Sequence, residues 1–254
     1  MTAESPLPSK PSEQEGSRGQ SSRVQRVAEE MMDRFGFVGV PRETFEVGGR
    51  AQFVRLLQHG LNPESKVLEI GCGCLRVGYW LIRFLDPGCY FGIEPAEDRV
   101  GHGKDYLLGE KLLELKKPSF DYNAVFDTSV FDAHRFGGFD FFVAGSIWTH
   151  CSKEHIRRTL DGFVADTGPR GIFLTSCLPA LGDEDDYQGD TWVGTSHESD
   201  EPGVVSHSFS WIRAECELRN LGLTAIQGID CDSQFWLRID KDPDRFFSAI
   251  PSRS

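Results

Sequence analysis

Apolar positions along this 254-residue chain follow two alternating rhythms from Arg50 onward. Segments with apolar residues three and four apart, the helical spacing, are separated by short continuous apolar runs bounded by turn residues. Such runs mark strands buried on both faces. The spacing predicts helices over 50–60, 76–85, 96–116, 156–163 and 208–220. Strands are expected at 66–70, 89–94, 121–126, 139–145 and 171–178, with a final pair at 223–230 and 234–239. Ahead of this core, Val24, Val27, Met31 and Met32 suggest a helix over 23–35. The Gly- and Pro-punctuated stretch 35–49 reads as a loop lying over the body. Residues 1–22 hold six serines and three prolines with little to bury, so they read as a disordered tail, and 241–254 as a C-terminal one. Strands alternating with helices predict an α/β fold with a Rossmann-like, doubly wound, mainly parallel sheet and an antiparallel C-terminal edge strand.

The segment VLEIGCGCLRVGYWLIRFLDPGCYFGIEP, 67–95, adds chemistry to that pattern. A strand runs through Glu69 into Gly71-Cys72-Gly73 and then a helix. Glycines there permit a sharp turn and close backbone approach to a ligand, and the helix start offers free N–H donors. Glu94 ends the next strand, 21 residues after Gly73. A carboxylate in that place can accept both hydroxyls of a ribose. Arg76 stands where a G-x-G-x-x-G dinucleotide loop needs its third glycine, which argues against a nicotinamide-dependent oxidoreductase.

With Glu69-Ile70-Gly71-Cys72-Gly73 as an acid-x-Gly-x-Gly motif, the chain resembles the class I S-adenosylmethionine-dependent methyltransferases over 50–240. The nearest likeness is to bacterial small-molecule types with a Gly-Cys-Gly-Cys-Leu-Arg loop. The resemblance implies S-adenosylmethionine as cofactor. Glu69 and the loop Gly71, Cys72 and Gly73 would hold its amino acid end, and Glu94, with Pro95 beside it, the ribose. Asp127 would contact the adenine amino group with the Thr128 backbone alongside, although Asp121 and Asp132 are alternatives and a turn-capping role is another. Ser146 and Ile147 would lie along the methionine portion. Cys74-Leu75 departs from the small Thr-Gly pair of many family members.

Ala144 to His150 follows the fourth strand at the edge where such sheets bind ligands. His150 is the candidate general base, because imidazole titrates near neutrality; packing of the following helix is the competing reading. The segment 182–206 is expected to be a lid-like insertion, with Tyr187 and Trp192 offering apolar walls to an acceptor. Its 182–201 portion carries eight acids and no Lys or Arg, read first as a solvated loop.

A formal charge of −12 and the lack of an Asn/Asp-Pro-Pro-Tyr/Phe motif argue against nucleic acid as partner. No run reaches the roughly 18 apolar residues of a membrane span. The seven cysteines are scattered through apolar segments and fit reduced thiols, hence a cytoplasmic setting, and Cys72 and Cys74 lack a second ligand pair for zinc. No metal is expected. The sequence points to methyl transfer onto an O or N atom of a small-molecule acceptor. A noncatalytic cofactor-binding interaction or sensor protein on the same fold is the alternative.

Overall fold

The computed structural model describes residues 22–36, 42–196, 199, 202–226 and 234–244. Seven strands form one sheet: β1 (Val67–Ile70), β2 (Tyr90–Ile93), β3 (Ser119–Asp121), β4 (Phe139–Ala144), β5 (Thr167–Cys177), β6 (Gly222–Ile226) and β7 (Phe235–Asp240). Their order is β3-β2-β1-β4-β5-β7-β6. β1 to β5 pair in parallel, whereas β7 runs antiparallel to both β5 and β6. The expected C-terminal antiparallel pair therefore closes one edge, with β7 inside and β6 outermost. Strand order reverses between β1 and β4, and such a switch point opens a crevice at the carboxyl ends of the strands.

The helices are α1 (Arg23–Phe35), α2 (Phe45–Gln58), α3 (Gly78–Phe84), α4 (Glu97–His102), α5 (Glu110–Lys116), α6 (Lys153–Asp166) and α7 (Phe209–Leu218). The sheet divides the core in two, and period-two alternation decides which side each strand residue serves. Val67 and Tyr90 pack with α1–α5, while Leu68, Ile70, Phe91 and Ile93 pack with α6 and α7. By the same alternation Glu69 falls on the α1–α5 side, beside Tyr90. No helix among the described residues is long and apolar enough to cross a membrane.

Three differences from the sequence reading have local causes. The expected loop 35–49 ends in helix, because α2 starts at Phe45 and includes Gly48 and Gly49. Those glycines mark a close contact: a Cβ on Gly49 would overlap the Arg76 carbonyl. The single helix over 96–116 is instead α4, a π-helical stretch over Gly103–Leu108, and α5. Gly109, at φ +80°, interrupts it, while Leu107 and Leu108 keep their buried positions. The third strand falls at 119–121 and not 121–126. Asp121 ends it by accepting the Asn123 N–H at 2.9 Å, a local turn that competes with the ladder. Residues 1–21, 37–41, 197–198, 200–201, 227–233 and 245–254, which take in most of both expected tails and the end of the strand expected at 223–230, lie outside the described residues.

Candidate functional site

The loop after β1 is fixed by backbone bonds to the end of β2. The N–H groups of Gly71 and Cys72 both donate to the Ile93 carbonyl, at 2.8 and 3.1 Å. Gly71 and Gly73 have φ of +69° and +50°, a region L side chains rarely adopt. A Cβ on Gly71 would also overlap the Ile147 side chain. Glu94 then clasps the loop: Oε2 accepts the Gly73 N–H at 2.9 Å and Oε1 the Ala96 N–H at 3.1 Å. Each oxygen keeps acceptor capacity toward the cavity it borders.

Glu69 is 5% exposed and accepts the Tyr90 O–H at 2.6 Å. Burial pushes its carboxyl up to about 8, against the pull of Tyr90 and Arg76, and Glu94 adds to the rise. A carboxyl in that state gains from a cationic group that lets it ionise. The Cys72 thiol is buried against Gly92, where a Cβ would crowd its sulfur.

Across the crevice, the chain turns sharply after β4. Ser146 has φ +61°, and its N–H donates to Ser176 Oγ at 2.7 Å. Gln234, just before β7, donates to Ser146 Oγ at 2.8 Å and accepts from Ser176 Oγ at 2.6 Å. Trp148 is fully buried and donates its indole N–H to Thr159 Oγ1 at 3.2 Å. His150 closes the turn by donating its N–H to the Ile147 carbonyl.

The insertion is pinned to this turn. Val193 N–H donates to the His150 carbonyl and Val205 N–H to the Thr149 carbonyl, at 2.9 and 2.8 Å. His150 Nδ1 lies 2.6 Å from the Val193 carbonyl oxygen. A carbonyl only accepts, so Nδ1 carries the proton and the neutral ring keeps its lone pair on Nε2. Trp192 stacks on the imidazole at 5.3 Å between centroids and 19° between planes. Burial lowers the His150 pKa, partly opposed by the bonds to the Val193 and Gly203 carbonyls.

These parts enclose a cavity of about 370 Å³, within the roughly 300–1,000 Å³ of small-ligand sites. Glu69, Gly71, Cys72, Gly73, Glu94 and Pro95 line one side, and Ser146, Ile147, His150 and Trp192 the other. Asp127 and Thr128 do not reach it and border a separate, shallower pocket. Asp127 caps the turn over Thr128–Phe131, accepting the Ser129 N–H and hydroxyl at 3.0 and 2.7 Å. Thr128 donates its hydroxyl to Asp166. Of that segment only Phe126 lines the main cavity. Tyr187 is also elsewhere, its ring edge-on to His207 and its hydroxyl on the Thr191 carbonyl at 3.1 Å.

Other lining residues are not among the sequence's site candidates: Gln52 on α2, Arg76, Arg99 and Gly145. Gln52 was legible only as a polar residue on the face of α2 that buries Phe45, Gly49 and Leu56. Its Nε2 is buried with no hydrogen-bond partner among the described residues, a state costing about 1–3 kcal/mol. In the acidic insertion, Asp186 serves as an anchor, accepting from Lys153 Nζ at 2.7 Å and the Ser208 N–H at 2.8 Å. No cluster of metal-ligating side chains occurs among the described residues.

No protein-family model matches the chain, and no curated protein matches it in sequence. Solved structures match its fold. DhpI in complex with SAH is 11% identical, with a TM-score of 0.54 over 86% of this chain and 93% of that one. The DhpI–SAM–HEP complex is 10% identical, with a TM-score of 0.55 over 85% and 95%. Magnesium protoporphyrin IX methyltransferase (ChlM) from Synechocystis PCC 6803 with bound SAM is 13% identical, with a TM-score of 0.54 over 88% and 99%. The strand order, the inserted antiparallel β7 and these matches show that the chain shares the fold of these solved structures.

Proposed function

We propose that the protein is an S-adenosylmethionine-dependent methyltransferase acting on an O or N atom of a small-molecule acceptor. The observation that carries this reading is the clasp of Glu94 on the Gly73 N–H beside buried Glu69, facing the Ser146–His150 turn across one cavity. The fit to the cofactor rests on complementary groups. Glu94 offers acceptors to ribose hydroxyls, and Glu69 offers a carboxylate to the amino acid ammonium. The cavity size suits one such ligand with an acceptor at its edge.

The bound cofactor supplies a methyl group on a sulfonium, open to in-line attack by a nucleophile. The chain's residues hold the two partners and exclude water. Ser146 and Ile147 present a fixed wall along the methionine portion, since Ser146 is bonded to Ser176 and Gln234. His150 Nε2 takes the proton that an O–H or N–H acceptor loses, while Nδ1–H on the Val193 carbonyl holds the ring. Trp192 covers the imidazole and narrows the acceptor entrance. Much of the acceleration comes from alignment.

Titration calorimetry with S-adenosylmethionine, S-adenosylhomocysteine and NADH tests the cofactor. Binding of the sulfur nucleosides without NADH is expected; folded protein that binds neither sulfur nucleoside would sink the reading. Labelled methyl incorporation into a metabolite extract then separates an enzyme from a cofactor-binding sensor.

A further inference from the structure

α2 contributes to the cavity something outside the motif-bearing loops. Gly49 and Gln52 are three residues apart and share one helix face. At Gly49 the missing Cβ lets the Arg76 carbonyl and Cγ approach α2. At Gln52 the side-chain amide lies over Gly145, where a Cβ would overlap it. This face thus bridges the loop after β1 and the turn after β4. Gln52 is 4% exposed, lines the cavity, and its Nε2 has no hydrogen-bond partner among the described residues. Arg76 lines the same cavity, and its charge acts on Glu69.

A buried amide donor without a partner in a ligand cavity is a group awaiting an acceptor. An amide donor and a guanidinium lining the same cavity can together match a carboxylate, which accepts through both oxygens. We propose that Gln52, with Arg76, forms a carboxylate subsite where α2 meets the loop after β1. It takes the carboxylate of the cofactor's amino acid end or one carried by the acceptor. The subsite rests on the reading of the cavity as an adenosyl-cofactor site.

The test uses Gln52→Met, which keeps length and bulk while removing both polar atoms, and Gln52→Glu, which sets like charge against a carboxylate. S-adenosylhomocysteine and 5′-methylthioadenosine are titrated into each; the second compound lacks the amino acid portion. Loss of about tenfold or more for S-adenosylhomocysteine in both variants, with 5′-methylthioadenosine within about twofold of wild type, assigns the subsite to the cofactor. If neither nucleoside changes, benzoate is titrated into the S-adenosylhomocysteine complex. Binding to wild type that Gln52→Met and Gln52→Glu both lose assigns the subsite to the acceptor.

Ligand-free Gln52→Met should melt no lower than wild type, because the orphaned amide is gone; a purely structural Gln52 would lower the melting point and weaken both nucleosides equally. That result, or unchanged binding of all three probes, overturns the subsite. Wild type that binds both nucleosides while the variants change nothing leaves the cofactor reading standing. Wild type that binds neither nucleoside removes both.

Discussion

The two walls of the cavity are built on different plans. The wall carrying Glu69 and Glu94 comes from adjacent parallel strands and the short loop after β1, with backbone donors meeting the Ile93 carbonyl and Glu94. The opposite wall is assembled from distant segments: α2, the Ser146–His150 turn, and the insertion held by Val193 and Val205. The first is fixed by the sheet itself. The second depends on pairings among segments that could vary independently, so it is where acceptor specificity can change while the cofactor geometry stays constant.

That contrast predicts separable defects. His150→Ala should cut kcat by about 10²–10⁴-fold if the imidazole takes the acceptor proton. S-adenosylhomocysteine affinity, read by calorimetry, should stay within a few-fold. His150 acts as a base only when neutral, and burial lowers its pKa from 6.5. The wild-type rate should therefore be level around neutrality and fall only at more acidic pH. An unchanged kcat would move the base elsewhere.

Glu94→Ala should do the reverse: if Glu94 holds the ribose hydroxyls as proposed, S-adenosylhomocysteine binding should weaken by about 10²-fold through the loss of two charge-assisted bonds. It also frees the Gly73 and Ala96 N–H groups, so thermal unfolding should show a lower melting temperature. Equal affinity in Glu94→Ala would remove the first wall's main contact.

Gly71 and Ile147 are where the two walls touch. Gly71→Ala should destabilise the protein by about 1–3 kcal/mol through backbone strain at φ +69° and overlap with Ile147. Adding Ile147→Ala removes the overlap but not the strain, so denaturant unfolding should recover part of the loss. Additive losses in the double variant would mean that the walls are not coupled there.

The same contrast explains what the sequence made legible. The first wall is contiguous in sequence, so Glu69, Gly71, Gly73 and Glu94 could be read from a strand, a turn and a strand end. Of the second wall, Ser146, Ile147 and His150 follow an unmistakable apolar strand, which places them at its carboxyl end, and they line the cavity. Gln52 falls within the expected helix 50–60 but carries no motif, and Gly48 and Gly49, which read as loop punctuation, mark close packing inside α2. Asp127 had the composition of a ligand contact but is used as a cap, and Tyr187 offered an aromatic ring that turns toward His207. Residue type and position near a strand end do not fix where a side chain points. That is decided by local hydrogen bonds such as Asp127 with Ser129, which pattern alone does not reveal.

Glu69 gives the most diagnostic effect, because it tests whether the first wall meets a cation. Its carboxyl titrates at about 8 in the ligand-free protein, raised from 4.5 mainly by burial. At pH 7 the protonated form therefore predominates. An ammonium docking on this group requires the ionised form, so S-adenosylhomocysteine affinity should rise by up to about tenfold per pH unit as pH approaches 8, then level. A proton should be released on binding near pH 7, visible as a dependence of calorimetric heat on the buffer. Glu69→Gln should flatten the affinity profile and abolish that release. Stability follows the opposite course. The raised folded-state pKa contributes stability fully below about 4.5 and loses it as pH rises through about 8. The ligand-free melting temperature should therefore have a Glu69-dependent decline over that window, less marked in the complex. A flat affinity profile for wild type would mean that Glu69 stays protonated when the cavity fills, and that the amino group is held by other acceptors of the loop.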